Sequence, residues 1–368
     1  MSIQSNPRSG RPGHPTPALS RRALLAGTAA GAVGLSLAAC GKGKKSGSQA
    51  DSKTVTVVTH DSFHVSEDLQ KAFTSETGYT LKIATSGDAG ALVNKLVLTK
   101  DAPLGDAVFG IDNTYATRAL DQGVIDTSAT VTLPKGAESY VVADTPALAP
   151  IDVGDVCLNI DTGYFTGKGL TPPATFEDLT KPEYKGLLVA INPTNSSPGM
   201  AWLLATIGHF GAGSFAGYWK QLMANGARIA EDWSAAYETD FSGSGKGTYP
   251  IVVSYASSPS FTVSKDKSSS TTSALLDTAF RQVEYAGVLK GAANPEGGKA
   301  FVTWMLSKAV QEDIPGQMYM YPVLPDAALP EALTKFGPLS KSPVKVEPKE
   351  ITTHREEWLN TWTEAVGK

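Results

Sequence analysis

The sequence has few of the residues that form disulfide bonds, metal sites or the active sites of hydrolases. Only two of its 368 residues are cysteine, Cys40 and Cys157, which excludes a disulfide framework and a four-thiolate zinc site. Its five histidines form no His-Glu-x-x-His motif. The chain also lacks a Gly-x-Ser-x-Gly nucleophile elbow and a Gly-x-x-x-x-Gly-Lys-Ser/Thr phosphate loop. We therefore predict no catalytic residue, no metal site and no cofactor.

Positive charge is scarce in most of the chain. Residues 1–39 carry four arginines and no acidic residue, whereas from Thr54 onward 24 basic side chains stand against 35 acidic ones. A nucleic-acid partner requires a basic face, so we expect none. With 41% hydrophobic and 18% charged residues, the composition is typical of a globular protein, and the length suffices for about two domains.

The N-terminus has the pattern of an export signal. Arg21 and Arg22 precede an uncharged stretch, residues 23–39, that consists mostly of Ala, Gly and Leu. This arrangement is typical of a signal peptide, and the adjacent arginines match the twin-arginine type. We predict a signal peptide over residues 1–39. The alternative is an uncleaved membrane anchor, for which the stretch is short because a spanning helix needs about 20 strongly apolar residues.

A lipid anchor is predicted where the signal peptide ends. Leu-Ala-Ala-Cys-Gly at residues 37–41 looks like a bacterial lipobox, in which small residues admit the peptidase and Cys40 receives the diacylglycerol. Residues 40–53 are rich in Gly, Ser and Lys, as expected of a flexible tether beside anionic headgroups. We expect a protein exported to the periplasm or cell surface and anchored by lipid at the outer face of the cytoplasmic membrane.

From Thr54 onward, strand patterns alternate with helix patterns, which predicts an α/β fold with parallel strands. Strands are predicted at residues 54–60, 80–84, 106–110, 151–160, 187–191 and 250–255. Helices are predicted at residues 66–77, 89–99, 200–210, 213–225 and 234–241, with Asp112 as the N-cap of a helix that ends before Gly123.

This alternation indicates two α/β lobes joined by crossing strands near Asp152 and Ser254. We assign residues 54–150 to the first part of lobe 1 and residues 151–255 to lobe 2 with the hinge strands. Residues 256–368 return to lobe 1 and add the C-terminal helices. Such a body binds its ligand in the interlobe cleft, at the carboxyl ends of strands.

Small polar residues follow three predicted strands. They are His60, Asp61 and Ser62, then Ser196, Ser197 and Gly199, and finally Ser258. In the second loop Ser197 is predicted to cap a helix with Pro198 at its first position, so that free N–H groups would welcome a phosphate or carboxylate. Plain helix capping is the alternative interpretation.

Aromatic residues cluster beside the predicted strand ends and loops. They are Trp233, Tyr237, Tyr255, Phe261, Tyr319 and Tyr321. Each taken alone fits the core as well as a ligand cage. Together, in an acidic body, they would suit a flat organic cation through stacking and cation–π attraction.

Several short strings of the chain resemble the thiamine-binding periplasmic proteins of bacterial ABC transporters. They are Thr-His-Asp-Ser-Phe at 59–63, Gly-Ile-Asp-Asn at 110–113, Asp-Val-Gly at 152–154, Ser-Pro-Gly at 197–199, Trp-Ser-Ala-Ala-Tyr at 233–237, Ser-Tyr at 254–255 with Ser-Pro at 258–259, and Met-Tyr-Pro-Val at 320–323. The resemblance covers residues 54–368. It implies a two-lobed type II periplasmic-binding-protein fold, a monomer that binds thiamine or its phosphates, and delivery to a membrane permease.

The resemblance also implies which residues hold the ligand. Trp233 and Tyr255 match the aromatic residues of the family directly, whereas His60, Phe261 and Tyr319 stand where the family has Tyr, Tyr and Trp. By chemistry, the exocyclic amine of thiamine would suit Asp61 or Asp112. A phosphate would suit the helix start at residues 196–199.

Three alternatives remain at this point. A receptor of the same fold for ferric ion is less favoured because the chain has no adjacent tyrosine pair, whereas a polyamine receptor is harder to separate because it also pairs aromatics with carboxylates. A thiaminase-like enzyme would need a cysteine nucleophile. Cys157 lies in an apolar strand pattern, where a thiol is expected to be inert.

Overall fold

The structure, a computed structural model, describes residues 53–244 and 246–367. Cys40, the predicted signal peptide and all of the predicted tether except Lys53 lie outside these residues. The strands are β1 (Thr54–Thr59), β2 (Thr80–Thr85), β3 (Ala107–Asp112), β4 (Leu148–Asp161), β5 (Leu188–Ile191), β6 (Arg228–Ala230), β7 (Ile251–Tyr255), β8 (Thr272–Val288) and β9 (Tyr321–Pro322). No helix in the described ranges is both long and apolar enough to cross a membrane.

The helices follow or flank these strands. They are α1 (Glu67–Thr77), α2 (Ala89–Leu98), α3 (Ala116–Asp121), α4 (Thr162–Lys168), α5 (Ser197–Phe210), α6 (Phe215–Ala224), α7 (Pro295–Met305), α8 (Lys308–Gln317), α9 (Glu331–Phe336) and α10 (Pro348–Val366). A π-helix spans Ala235–Asp240. Most predicted elements are confirmed to within a few residues, because their apolar periodicity is long enough to be unambiguous.

The strands form one mixed sheet in the order β2-β1-β3-β8-β4-β7-β5-β6, and β9 pairs with β4. On one side β1 is parallel to β2 and β3. On the other side β5 is parallel to β6 and β7. The predicted parallel pairing is confirmed within each group. Between the groups β8 runs antiparallel to both β3 and β4, which the sequence patterns do not predict.

The long strands β4 and β8 join the two groups of strands. They pair over the full length of β4, from Leu148 to Asp161, while β8 also pairs with β3 and β4 also pairs with β7. The second long strand is therefore β8, whereas Ser254 belongs to the short strand β7. The division into lobes at residues 150 and 255 stays a prediction.

The C-terminal helix α10 packs against α6, which precedes β6 in the chain, and also contacts α3, which follows β3. It therefore contacts helices that neighbour each of the two groups of strands. Trp362 of α10 meets Trp219 of α6 edge to face, with ring centroids 5.6 Å apart. The Arg355 guanidinium lies 4.3 Å from the ring centroid of Tyr115, next to α3, a cation–π geometry. Helix α10 therefore links α6 with the start of α3.

Gly110 allows a close approach inside β3. Its φ is +96°, a conformation that side-chain-bearing residues rarely adopt, and the pairing of β3 with β8 is irregular at this point. A Cβ atom on residue 110 would lie 2.0 Å from Cδ2 of His60. The glycine therefore leaves room for the imidazole that follows β1.

We expect Gly110→Ala to lower the free energy of unfolding by about 2–4 kcal/mol, because it adds backbone strain and a clash with His60. Gly217→Ala is the matched control, since residue 217 lies on the exposed face of α6 and a Cβ added there would meet no atom within 4 Å. The control should be neutral or stabilise by up to about 1 kcal/mol. Urea unfolding measures both, and equal stability of the two variants would contradict the packing described for His60.

Candidate functional site

A cavity of about 390 Å³ opens where the two groups of strands meet. Its walls come from the loop after β1, the starts of α2 and α5, the segment that enters the π-helix, the end of β7, β8, and the segment after α8. The lining residues are His60, Asp61, Ser62, Asp88, Ala89, Ser197, Pro198, Trp233, Ser234, Glu238, Tyr255, Ser257, Ser258, Glu284, Gln317, Met318, Tyr319 and Met320. This position at strand ends and helix starts is the one predicted for a ligand cleft.

Aromatic rings in the wall are fixed by contacts behind them. Trp233 stacks on Tyr237 with ring centroids 5.0 Å apart and planes 11° apart, and its Nε1–H donates to Oγ of Ser254 at 3.0 Å. The Tyr255 hydroxyl donates to Oε1 of Gln282 at 3.2 Å. A planar ligand would therefore meet rings whose orientation is set before it binds.

Tyr319 is the most exposed aromatic residue of the wall. Its ring packs against Phe261, and each of the two side chains is 42% exposed. Tyr319 also has a φ of +64°, a strained value for a residue with a side chain, and such strain concentrates at functional sites. The pair leaves apolar surface beside the cavity that a ligand can cover.

The cavity is acidic. Among the described residues, four carboxyl-bearing ones line it, Asp61, Asp88, Glu238 and Glu284, and no Lys or Arg does. Of the lining residues within 53–244 and 246–367, only His60 can acquire a positive charge. A positively charged solute is therefore favoured over an anionic one.

His60 lies between a donor and an acceptor. The backbone N–H of Ser62 donates to its Nδ1 at 3.1 Å, and its Nε2 lies 3.3 Å from Oε1 of Glu284. Since a backbone N–H can only donate, Nδ1 is the unprotonated nitrogen and Nε2 carries the proton, close to the carboxylate but without hydrogen-bond geometry to it. Burial is the largest single influence and lowers the pKa of His60, but Glu284, Asp88 and Asp61 together outweigh it and the net shift of the pKa is upward. If both imidazole nitrogens of His60 were protonated, Nδ1 could no longer accept the hydrogen bond from the N–H of Ser62.

Asp88 connects α2 with the start of α5. Its Oδ1 accepts from the N–H of Ala89 at 2.6 Å and from the N–H of Ser197 at 3.0 Å. Burial raises its pKa, while the hydrogen bond from Ser197 opposes that rise. The helix N-terminus predicted to attract an anion therefore already has a carboxylate of the protein beside it.

The structure corrects two capping predictions. Ser196, not Ser197, caps α5, because its Oγ accepts from the N–H of Gly199 at 3.4 Å. Asp112 does not cap α3, which begins at Ala116 after Tyr115. Instead Asp112 accepts from the N–H of Thr114 at 2.8 Å and from its hydroxyl at 2.6 Å, and it also accepts from the Ser197 hydroxyl. Burial raises the pKa of Asp112 to about 7.

Eight of the residues predicted for the site line the cavity together. They are His60, Asp61, Ser62, Ser197, Trp233, Tyr255, Ser258 and Tyr319. Tyr237 stands behind the wall, stacked on Trp233, whereas Phe261 lies beside the cavity, packed on Tyr319. Tyr321 lies off the wall, where its hydroxyl donates to the carbonyl of Leu333 at 3.3 Å.

The other three predicted residues are buried near the start of α5 or at the end of β3. Ser196 serves as a cap, and Asp112 is engaged by Thr114 and Ser197. Gly199 packs so closely on the Asn192 carbonyl that a Cβ would lie 2.8 Å from its oxygen. These three support the wall rather than form it.

Some lining residues were missed by sequence reasoning. Asp88 follows β2 and precedes α2, so the strand-end pattern that identified the other loops applies to it as well. Glu284 lies inside β8, a strand with no clear apolar alternation, and nothing in its neighbourhood signals a cavity. The others are Ala89, Pro198, Ser234, Glu238, Ser257, Gln317, Met318 and Met320.

The described residues show neither a metal site nor a reactive cysteine. Within residues 53–244 and 246–367, no group of three His, Cys, Asp or Glu residues is placed to hold a metal ion. His60 and His64 are four residues apart, but the segment is a turn and His64 is exposed. Cys157 is completely buried in β4, and burial raises the pKa of its thiol. The cysteine therefore has the character of an inert core residue.

Residues 106–337 match the family of bacterial extracellular solute-binding proteins. The chain belongs to this family. Members of this family are solute-binding proteins rather than enzymes, so the prediction of a binding protein is confirmed.

Relatives agree with the resemblance found in the sequence. Over 326 residues the chain is 27% identical to the thiamine-binding periplasmic proteins of Salmonella typhimurium and Escherichia coli, with 85% of this chain and 94% of each relative covered. Among solved structures it is similar to a periplasmic thiamin binding protein, with 25% identity, a TM-score of 0.74, and coverage of 86% of this chain and 96% of the other.

A more distant neighbour shares the fold alone. Iron-bound HitA from Pseudomonas aeruginosa has 20% identity and a TM-score of 0.65, with 85% of this chain and 99% of that chain covered. These similarities confirm the two-lobed fold of type II periplasmic binding proteins.

We expect Asp88→Ala to lower the free energy of unfolding by about 1–2 kcal/mol, because the N–H groups of Ala89 and Ser197 lose their acceptor. Asp101→Ala removes an exposed carboxylate and should change stability by less than about 0.5 kcal/mol. Chemical denaturation of the ligand-free chain measures both. If Asp88→Ala is as stable as Asp101→Ala, Asp88 does not hold the start of α5.

Proposed function

We propose that the protein is a lipid-anchored extracytoplasmic receptor that binds thiamine and delivers it to an ABC importer. The observation that carries this proposal is a cavity whose wall, in the part of the chain that the structure describes, combines fixed aromatic rings with four acidic residues and no Lys or Arg. The thiamine-binding relatives support the choice of ligand. That the receptor is a monomer stays a prediction.

The chemistry of the cavity suits both rings of thiamine. The flat aminopyrimidine would stack against Trp233 or Tyr255, and the cationic thiazolium would gain about 0.5–2 kcal/mol from each aromatic face that it contacts. Asp61 and Glu284 are acceptors for the exocyclic amine, since Asp112 is already engaged by other donors. A volume of about 390 Å³ falls within the usual range for small-molecule pockets.

The departures from the family pattern are compatible with a cation. His60 accepts from Ser62 and lies beside Glu284, so a second proton on its imidazole would cost the bond from Ser62, and the resulting charge would be balanced by the Glu284 carboxylate. Phe261 and Tyr319 keep two aromatic rings beside the cavity. The missing phenol of residue 261 removes a hydrogen-bonding group, and Tyr319 in place of the family's Trp gives a cation a smaller and weaker aromatic face without removing it.

A phosphorylated ligand meets a less favourable surface. A phosphate at the start of α5 would have to displace the Asp88 carboxylate from the N–H of Ser197, and none of the described residues that line the cavity is a Lys or Arg that could compensate. Unphosphorylated thiamine therefore fits this cavity better than its mono- or diphosphate.

The three alternative functions each require different side chains in the cavity. A polyamine would also use the acidic wall, but it offers no flat ring for Trp233 and Tyr255. For a ferric ion, no group of three His, Cys, Asp or Glu residues within the described residues is placed to coordinate it. Thiaminase-like chemistry would require a cysteine at the cavity, and Cys157 is buried in β4 and absent from the wall.

We expect calorimetric titration of the full chain, refolded free of ligand, to give submicromolar binding of thiamine. Trp233→Ala and Tyr255→Ala should each weaken binding by about tenfold or more, since a lost aromatic contact of about 1.4 kcal/mol corresponds to tenfold in Kd. Tyr164→Ala removes a half-buried aromatic residue of α4 outside the cavity. This control should leave Kd unchanged.

The same titration separates the alternatives. Thiamine mono- and diphosphate, spermidine and ferric citrate are titrated in parallel with thiamine. Absence of heat with every form of thiamine would refute the proposed ligand while leaving the solute-binding family intact. Tight binding of spermidine instead would assign the cavity to polyamines.

The lipid anchor is tested by fractionating cells that express the chain. We expect the wild-type protein in the membrane fraction and Cys40→Ser in the soluble exported fraction, because the variant lacks the thiol that accepts the diacylglycerol. Cys157→Ala, which alters the only other cysteine, should remain with the membrane. Membrane association of Cys40→Ser equal to that of the wild type would contradict lipid anchoring.

A further inference from the structure

Three acidic side chains lie next to one another across three neighbouring strands. Glu284 of β8 is the register partner of Asp112 on β3 and of Asp152 on β4. Residues directly opposite each other on adjacent strands project from the same face of a sheet, with Cβ atoms about 4.5–5.5 Å apart. Asp112, Glu284 and Asp152 therefore form a row, which we name the carboxyl row, and Glu284 is its member on the cavity wall.

The carboxyl row is buried. Asp112 and Asp152 are 0% exposed and Glu284 is 6% exposed. Three negative charges at this spacing and depth repel one another and lose their hydration, so at least one carboxyl group retains its proton. Burial raises the pKa of Asp152 well above its ordinary value, and the charge of Glu284 raises it further.

The hydrogen-bond partners indicate which carboxyl group holds that proton. Asp112 accepts from Thr114 and Ser197, and Glu284 faces Nε2 of His60. Neither carboxyl oxygen of Asp152 has a donor among the residues that the structure describes. A buried carboxyl group without donors is more stable when protonated, because it then donates to a neighbouring carboxylate.

The elements packed around the row supply little positive charge. Strand β9 places Pro322, which has no N–H, opposite Asp152, and α8 presents the neutral amide of Gln311 to the carbonyl of Ile151. The titratable groups whose charge acts on the row are His60, Asp88 and Tyr255 from other elements and Tyr285 from β8 itself, and Asp61 acts on it through His60. Among these groups only His60 can become a cation, so the balancing charge must come from a proton or from the ligand.

We propose that Asp152 holds a proton shared with Glu284 in the ligand-free protein and releases it when an organic cation binds beside Glu284. The inference rests on the proposed function for the choice of thiamine as ligand. The O–H bond of Asp152 breaks and its proton passes to solvent. The positive charge of the ligand then offsets the negative charge of the carboxyl row in place of the proton. No electron is transferred.

The first test counts protons by titrating thiamine into the full chain near pH 7 in phosphate and in Tris. These buffers differ in ionisation enthalpy, so the difference in observed heat gives the number of protons released. We expect wild-type release of roughly 0.3–1 proton per thiamine, and an affinity that rises with pH by at most about tenfold per unit. Asp152→Asn keeps the shape and a permanent donor toward Glu284, so it should bind thiamine without releasing a proton.

Two matched variants separate Asp152 from other titrating groups. Asp61→Asn removes a cavity carboxylate outside the carboxyl row; it should weaken thiamine binding, but the number of protons released per bound thiamine should stay at the wild-type value. His60→Gln removes the imidazole from the wall, and the number released per bound thiamine should again stay at that value even if the affinity changes. Undiminished release by Asp152→Asn, or loss of release only in His60→Gln, would overturn the assignment to Asp152.

A ligand-free measurement keeps this inference separate from the proposed function. If the pKa of Asp152 is raised in the folded state, the folded state holds the proton longer than the unfolded state, whose Asp pKa is about 3.9. The folding constant of the wild type should therefore fall relative to that of Asp152→Asn as pH rises from about 4 through the folded-state pKa. Parallel stability profiles would overturn the inference even if thiamine binds, whereas failure of thiamine binding alone would refute only the proposed ligand.

Discussion

The antiparallel pair of β4 and β8 is the constraint on which both the fold and the cavity depend. It is the contact through which the two groups of strands form one sheet. The same pairing sets Glu284 opposite Asp152 and sets Gln282, which accepts from Tyr255, opposite Gly154. A Cβ on Gly154 would lie 3.2 Å from the ring of Tyr255. The strands that join the two halves thus also position an acidic residue and an aromatic residue of the binding site.

Electrostatic balance distinguishes the cavity from the rest of the interior. Away from the cavity, the charge of the buried Asp155 is neutralised by Arg281, whose Nη2 donates to its Oδ2 at 3.1 Å, and the N–H of Ser340 donates to the same carboxylate. In the cavity, none of the described residues on the wall beside Asp88 and Glu284 is a Lys or Arg. A buried acidic site without a built-in cation is costly to the protein alone. This imbalance is relieved by a solute that brings positive charge, which is the physical basis of the proposed selectivity.

The sequence predicts local elements well and long-range pairing poorly. The β-branched run at the start of β1 and the polar residues after it identified that strand and its site loop, because periodicity and turn chemistry are local signals. Strand β8 escaped prediction because its polar and apolar residues do not alternate, and its partners β3 and β4 are distant in sequence. Glu284 was missed for that reason. The N-cap of α5 is Ser196 rather than the predicted Ser197, whose hydroxyl instead contacts Asp112. No local sequence pattern reveals that contact, because Asp112 is distant in sequence.

The most direct test of the account is the contribution of the ligand's positive charge. Thiamine is compared by calorimetry with its neutral analogue, in which a carbon atom replaces the thiazolium nitrogen and the shape is kept. The account predicts that the neutral analogue binds at least about tenfold more weakly, since cation–π and carboxylate contacts that sum to about 1.4 kcal/mol or more are lost. Equal affinities would show that stacking and shape alone hold the ligand, and would contradict a role for the acidic cavity in recognising the cation.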